Sequence, residues 1–319
     1  MRLHRTLALG AALLALIVSA CAPGEGSSPT AGDVTDPAAT DGGMDMETAI
    51  TIGSANFYEA AVVAEIYAQA LENAGYTVER QLELGARDVL YAALESGDIN
   101  LTPEYIGGAL AQQYSGTPTA DTQETYEALQ TELEADGLVA FEPSPGTDAD
   151  GFVVRQETAD EFGLTTMSDV AEVADQLVWG LAPECGENPN CGPGLNEVYG
   201  IDISQVEVES LAPCSSAMAE ALNASAIDVA QVCTTQPDIE RFNFVLLDDD
   251  GQLQPAQNMV PIATQELADE AGDALAGTLN AVSELLTTEE LTSLGVQVAV
   301  DQESLEDAAR QWLEDNGLL

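Results

Sequence analysis

The sequence predicts an α/β protein built as two lobes. Short β-branched runs alternate with helix-length segments, which is the pattern of a parallel sheet with crossover helices. The alternation begins at Ala49, breaks at the turn-rich segment Pro143-Ser144-Pro145-Gly146-Thr147-Asp148, and then starts again. Hydrophobic residues are 45% of the 319, enough for real cores, and a structured length of about 270 residues suits two cores better than one.

The elements follow in order. Residues 49–53 form a short β-branched strand, and Ser54-Ala55-Asn56-Phe57 leads from it into a helix over about 58–73, with Gly75 just past its end. Residues 77–84 alternate as a second strand. Gly85 opens a loop before a helix at 87–96, which stops at Gly97. Ile99-Asn100-Leu101 is a strand running into Thr102-Pro103-Glu104-Tyr105. Strands at 138–142 and 151–155 flank the turn-rich segment. The second set has strands at 177–182, 206–211, 227–232 and 244–247, with helices around 168–175, 215–223 and 237–241. Asp248-Asp249-Asp250-Gly251 is a turn, 258–263 is a strand, and the remainder is helical to Leu319. No internal repeat is visible.

The first residues carry a processing signal. Arg2 and Arg5 precede an apolar run over 7–18 and then Ser19-Ala20-Cys21. This predicts a signal peptide over 1–20; the run is too short for a membrane-spanning helix. Val18-Ser19-Ala20-Cys21 resembles a lipobox, so Cys21 is the expected lipidation site; an ordinary signal peptide with an incidental cysteine is the alternative. Residues 21–47 are rich in Gly, Ser, Pro, Thr and Asp without apolar periodicity and read as a flexible tether. The expected location is extracytoplasmic, lipid-anchored to the cell membrane through Cys21.

Cys185, Cys191, Cys214 and Cys233 remain. Four cysteines allow three pairings, and an exported chain favours disulfides over metal thiolates. Cys185–Cys191 with Cys214–Cys233 is the preferred pairing, and a four-cysteine metal site stays open as the outside alternative.

Charge narrows the chemistry. Seven bases face 56 acids, for a net charge of −49, and the bases are all arginine: Arg2, Arg5, Arg80, Arg87, Arg155, Arg241 and Arg310. The single histidine is His4. Without a further imidazole or any lysine, a histidine-based catalytic triad, a Schiff base and a P-loop are excluded from the folded part. A surface this acidic repels nucleic acid. An acid/base carboxylate pair is conceivable, yet among so many acids it carries no signal, so no enzyme is predicted. The acidity suits either a high-salt habitat or simply an acidic exported protein.

Ile50-Thr51-Ile52-Gly53-Ser54-Ala55-Asn56-Phe57-Tyr58-Glu59 resembles the opening strand and helix of the quaternary-amine (glycine betaine/choline type) ABC-transporter substrate-binding proteins. Leu94-Glu95-Ser96-Gly97-Asp98-Ile99-Asn100-Leu101-Thr102-Pro103-Glu104-Tyr105-Ile106-Gly107, the cysteine loop before Pro193-Gly194-Leu195 and the tail from Ala309 to Leu319 are similar to further parts of that family. The resemblance implies a periplasmic-binding-protein-like fold of type II. Two α/β lobes would be joined by two crossing strands near 148–152 and 255–260, with the ligand clamped between them. Lobe 1 would be 48–150 and 256–319, and lobe 2 would be 151–255. It implies no cofactor and no metal. The implied partners are a small ligand, an ABC permease and its ATPase, with the chain itself a monomer.

The same resemblance implies an aromatic cage for a quaternary ammonium and a basic residue for a ligand carboxylate. Tyr105 matches a cage tyrosine. Other cage positions are replaced: Asp150 stands at one, Cys233 followed by Thr234-Thr235 at another, and Gln257 beside Asn258 at a third. Ala55 and Asn188 stand where bases are common. A zwitterion such as glycine betaine thereby loses both attractions. A cation with hydrogen-bonding groups would find Asp150, Tyr105 and Tyr58, and a polar neutral solute could use Asn56, Thr234, Thr235, Gln257 and Asn258. Arg87 follows Gly85 in a loop that often faces the cleft, and a salt bridge is its alternative role. Asn56 could instead cap the helix at Tyr58. The expected function is the solute-binding component of an ABC importer for a small osmoprotectant or quaternary-amine ligand. The alternatives are a different polar solute, or a structural or signalling lipoprotein that keeps the fold.

Overall fold

The computed structural model describes residues 49–319; the predicted signal peptide and the whole predicted tether, Cys21 included, lie outside the described residues. In chain order, β1 (Ala49–Ala55) leads to α1 (Tyr58–Asn73), β2 (Thr77–Gly85), α2 (Arg87–Ser96) and β3 (Leu101–Tyr105). A helical turn, α3 (Ile106–Gly108), continues into a π-turn at Ala109–Gln113, followed by α4 (Thr122–Ala135) and β4 (Leu138–Ala140). Then come β5 (Asp150–Arg155), α5 (Gln156–Phe162), α6 (Met167–Ala171), β6 (Val178–Leu181), α7 (Gly192–Tyr199), β7 (Glu207–Ser210), α8 (Ser216–Asn223), β8 (Val229–Cys233), α9 (Asp238–Arg241) and β9 (Phe244–Leu246). The chain ends with β10 (Met259–Thr264), α10 (Gln265–Ser283), α11 (Thr288–Gly295), a π-turn at Val296–Val300, and α12 (Leu305–Asp315).

The strands form two five-stranded sheets, ordered β2-β1-β3-β10-β4 and β7-β6-β8-β5-β9. In the first, β1 is parallel to β2 and β3, while β10 runs antiparallel between β3 and β4. In the second, β6 is parallel to β7 and β8, while β5 runs antiparallel between β8 and β9. The two sheets therefore share one topology, a structural repeat that the side chains do not betray. Each antiparallel strand is the first strand after the chain passes from one sheet to the other, β5 after β4 and β10 after β9. The two passages also pair with each other, through a bridge between Thr147 and Asn258 and an Asp148 N–H donated to the Gln257 carbonyl at 3.1 Å.

Proline placement agrees with the register. Pro103 lies opposite Pro261 on the β3–β10 ladder. Neither has an N–H to donate, so they form a non-hydrogen-bonded pair and the ladder bonds fall on the residue pairs on either side. Ile106 N–H to the Asn258 carbonyl, at 3.0 Å, keeps that phase. The third strand accordingly runs through Pro103 to Tyr105, where the sequence suggested an end at Leu101.

Apolar clusters pack on both faces of each sheet. Helix α1 is buried from Glu59 to Leu71 because α10, α11 and α12 cover the side facing away from the sheet. Of its interior polar groups, Gln69 donates to Glu65 at 2.9 Å and Glu65 accepts from Arg80 at 2.6 Å, while Gln69 Oε1 and Glu59 Oε2 meet no hydrogen-bond partner among the described residues.

Several elements depart from the sequence expectation. Helix α4 buries only Thr125, Leu129 and Leu133, a stripe too narrow to announce itself by periodicity, although Asp121 caps it by accepting from the Glu124 N–H at 2.8 Å. Helices α5 and α7 are short and were equally silent. The helix expected at 168–175 is α6 followed by a separate 3₁₀ turn, Ala174–Gln176. The helical remainder is divided into three helices, and Thr287 and Ser304 cap the second and third.

Candidate ligand-binding cleft

A cleft of about 600 Å³ opens between the two sheets. Its near wall is the start of α1 (Phe57, Tyr58, Glu59) with Ala299 and Val300 beyond α11. Its floor includes Asp148 from the first passage, and its far wall is Cys214 and Ser216 at the start of α8, with Cys233 and Thr235 to Asp238 after β8, and Arg241. Both α1 and α8 present their N-termini to this space. The exposed amide ends of a helix favour negative charge, which suits Glu59 in the first turn of α1.

Glu59 is 2% exposed. The Tyr105 hydroxyl donates to its Oε1, while its Oε2 meets no hydrogen-bond donor among the described residues. The Tyr105 ring, at the end of β3, stacks on Phe57 with centroids 6.0 Å apart and planes inclined by 20°. The Thr235 hydroxyl donates to Asp148 Oδ1 at 2.8 Å. The Gln231 amide donates to Asp150 Oδ2 at 3.4 Å, and the Asp150 carboxylate lies within 4.8 Å of the Cys214 and Cys233 sulfurs.

Burial pushes the Glu59 carboxyl well above the usual carboxylate range, the charge of Asp148 adds to it, and hydrogen bonding by Thr235 opposes it. Burial also raises Asp148, with Thr235 opposing and Asp150 reinforcing. Asp150 is raised by burial, against the Gln231 hydrogen bond. The Tyr58 phenol is pushed up by burial and then by Glu59, Asp148 and Asp238. The cleft therefore gathers carboxyl groups in a poorly solvated place, where each holds its proton more readily than in water. Its one lining base, Arg241, already pairs with Asp238 at 3.3 Å and sits 4.7 Å from the centroid of Phe242.

The structure brings only some of the expected residues together. Tyr58 and Thr235 line the cleft, and Tyr105 stands behind it through Phe57 and Glu59. Asp150 is not among the lining residues: it lies beside the Cys214–Cys233 disulfide and lines a second cavity with Thr234 and Asn258. Arg87 does not face the cleft: its guanidinium grips Glu104 at 2.6 and 2.8 Å and donates to Gln112 at 2.7 Å. Gln257 accepts from the Gly108 N–H at 2.9 Å, and Asn258 donates to the Ser144 carbonyl at 3.0 Å. Thr234 donates to the Thr147 carbonyl at 2.8 Å and accepts from the Ala149 N–H at 3.0 Å. These three residues fasten the passages between the sheets. Asn56 is exposed and does not cap α1, whose N-cap is Phe57 with no side-chain bond.

Sequence reasoning missed Phe57, Glu59, Asp148 and Asp238. Glu59 had a legible signal, an acid in the first turn of a largely apolar helix; Asp148 was hidden in a turn-rich stretch. The cysteines resolve to Cys185–Cys191 and Cys214–Cys233. Because the Cys214 and Cys233 sulfurs are bonded to each other, the nearby Asp150 forms no thiolate metal set with them.

Two α/β lobes joined by two passages, with an acidic and aromatic cleft between them, define a solute-binding protein that holds a small ligand between its lobes. Residues 48–315 match the family described as the substrate-binding domain of ABC-type glycine betaine transport systems, and the chain belongs to it. A glycine-betaine-binding protein of Pseudomonas aeruginosa is 24% identical over 286 residues, covering 87% of this chain and 91% of the relative. The carnitine transport binding protein OpuCC of Listeria monocytogenes is 25% identical over 279 residues, covering 86% and 89%. Among solved structures, apo YehZ from Escherichia coli shares the fold with a TM-score of 0.77 at 23% identity, covering 85% of this chain and all of that one.

As a member of this family the chain is the extracytoplasmic substrate-binding component of an ABC-type importer, which works with a permease and its ATPase. The family is one of transport proteins rather than enzymes. No helix among the described residues is long and apolar enough to cross a membrane.

Proposed function

We propose that the solute is a small organic cation of the osmoprotectant and quaternary-amine class, held with its positive charge against Glu59 and Asp148 and its body against Phe57 and Tyr58. The observation that supports this best is the buried Glu59 carboxylate, with one oxygen unpaired, at the wall of a cleft whose single base is already bonded. A cation supplies the missing counter-charge. A ligand carboxylate would have to compete with Asp238 for Arg241, the one base lining the cleft, and the other arginines among the described residues are ion-paired away from it. In this reading Tyr105 positions Glu59, and Thr235 positions Asp148. Arg87, Thr234, Gln257 and Asn258 hold the frame.

The wider reading takes 1–20 as signal peptide, 21–47 as tether and acylated Cys21 as the membrane anchor of a monomer. Lobe 1 is 48–150 with 256–319, and lobe 2 is 151–255. Titration calorimetry with choline and glycine betaine tests the ligand reading. Choline should bind at least about tenfold more tightly, since it lacks the carboxylate that the acidic cleft would repel. Tighter binding of glycine betaine, or no binding of any organic cation, would sink it.

A further inference from the structure

Resting on that reading of the cleft, we infer that Gln236 selects among quaternary amines by accepting a hydrogen bond from a ligand hydroxyl, so that the preferred solute carries an alcohol beside its ammonium, as a choline-type head does. Gln236 is 6% exposed and lines the cleft between Thr235 and Pro237. Its amide nitrogen donates to Asp238 Oδ2 at 2.9 Å and to the Ser215 carbonyl at 3.3 Å. Both N–H groups are thereby spent, which fixes which end of the amide is oxygen. That oxygen, Oε1, is buried and meets no hydrogen-bond partner among the described residues. A buried acceptor without a donor is costly, and a ligand that supplies the donor recovers the loss. A quaternary nitrogen has no N–H to give, and the carboxylate of a betaine has no proton. A hydroxyl has one.

The glutamine is held in place from several directions. Its backbone N–H closes the turn after β8 on the Cys233 carbonyl at 2.9 Å. Cys233 is bonded to Cys214, and Ser215 caps α8 by accepting from the Met218 N–H at 3.3 Å. The preceding residue, Thr235, donates to Asp148 at 2.8 Å, so the free acceptor comes from the residue next to the one that holds a cleft carboxyl group. Phe57 and Tyr58, on the opposite wall, leave ring surface for the methyl groups of the ammonium. One wall thus takes the methylated charge, and the other reads the substituent it carries.

Three ligands separate the hydroxyl from the charge. Titration calorimetry of the purified protein compares choline with n-propyltrimethylammonium, in which a methyl replaces the hydroxyl, and with O-methylcholine, which keeps the oxygen and lacks its proton. Choline should bind roughly tenfold more tightly than either, the difference expected when a buried acceptor gains or misses its donor. In Gln236→Met, similar in length and without the acceptor, choline should fall to within about threefold of n-propyltrimethylammonium, whose own affinity should change by less than about threefold. Equal loss of both ligands in a variant that still melts cooperatively marks a merely structural glutamine and overturns the inference. So does either analogue matching choline on the unaltered protein, a comparison that stands even if the variant folds poorly; both results leave the cation reading intact. Silence of all three cations while glycine betaine binds overturns the inference and that reading together.

Discussion

At the scale of single residues, the cleft depends on where one carboxylate was put. Glu59 lies in the first turn of a helix whose next twelve residues are buried, and Tyr105 occupies one of its oxygens. Its raised pKa has a sign that can be checked. Below the ordinary carboxyl value of about 4.5, folded and unfolded chains both hold the proton. Above it only the folded chain does, so the stability this group contributes is lost as pH rises toward its folded value. The melting temperature of the ligand-free protein should therefore fall more steeply between pH 5 and pH 8 than that of Glu59→Gln; parallel curves would refute the burial of a titrating Glu59. The affinity for an organic cation should move oppositely and strengthen with pH over the same window, because the cation must displace the proton.

At the scale of elements, the loop after β2 and the end of β3 are locked by the Arg87–Glu104 pair. Glu104 is 5% exposed, and it also accepts from the Tyr105 N–H at 2.8 Å. Room for the guanidinium comes from Gly108, where a Cβ would stand 2.7 Å from Arg87 Nη2. Removing the arginine would leave a buried, uncompensated carboxylate. Arg87→Met should thus cost about 3–5 kcal/mol of stability, read by urea unfolding, while the affinity of the still-folded protein for a cation changes little. A large loss of affinity with unchanged stability would instead return Arg87 to the ligand site.

At the scale of the whole molecule, charge and hinge geometry dominate. With 56 acids against seven arginines, self-repulsion is strong at low ionic strength. Molar salt shortens the screening length from about 10 Å at 0.1 M to about 3 Å. The melting temperature should rise between 10 mM and 1 M sodium chloride, and a flat response would mean that the acids are already spaced beyond each other's reach. The two passages between the sheets are tied to each other and to Thr234, so they constrain how the walls approach over a ligand.

The sequence by itself determined the class and the order of its parts. Hydrophobic periodicity reports which faces are buried, and that was enough for most strands, the long helix α1 and the two lobes. The motifs from Ile50 to Glu59 and from Leu94 to Gly107, with the cysteine loop and the tail from Ala309, carried the family. Amphipathic signals failed for α4, whose buried stripe is three residues wide, and for the short α5 and α7. Tertiary structure alone decided the site. Asp148, Asp150 and Asp238 are ordinary acids in a chain crowded with them, and only the packing of the passages against β8 and α1 sets which lose their water. Thr234 and Thr235 are neighbours of one type, yet one bonds backbone and the other a cleft carboxylate, because they occupy the two corners of the turn after β8 that the Gln236 N–H closes on the Cys233 carbonyl. Glu59 acquired its unpaired oxygen in the same way, from partners 46 residues distant in sequence. Sequence periodicity encodes burial along one element, whereas a binding cleft arises from groups on different elements, and the distances between them exist only after the chain has folded.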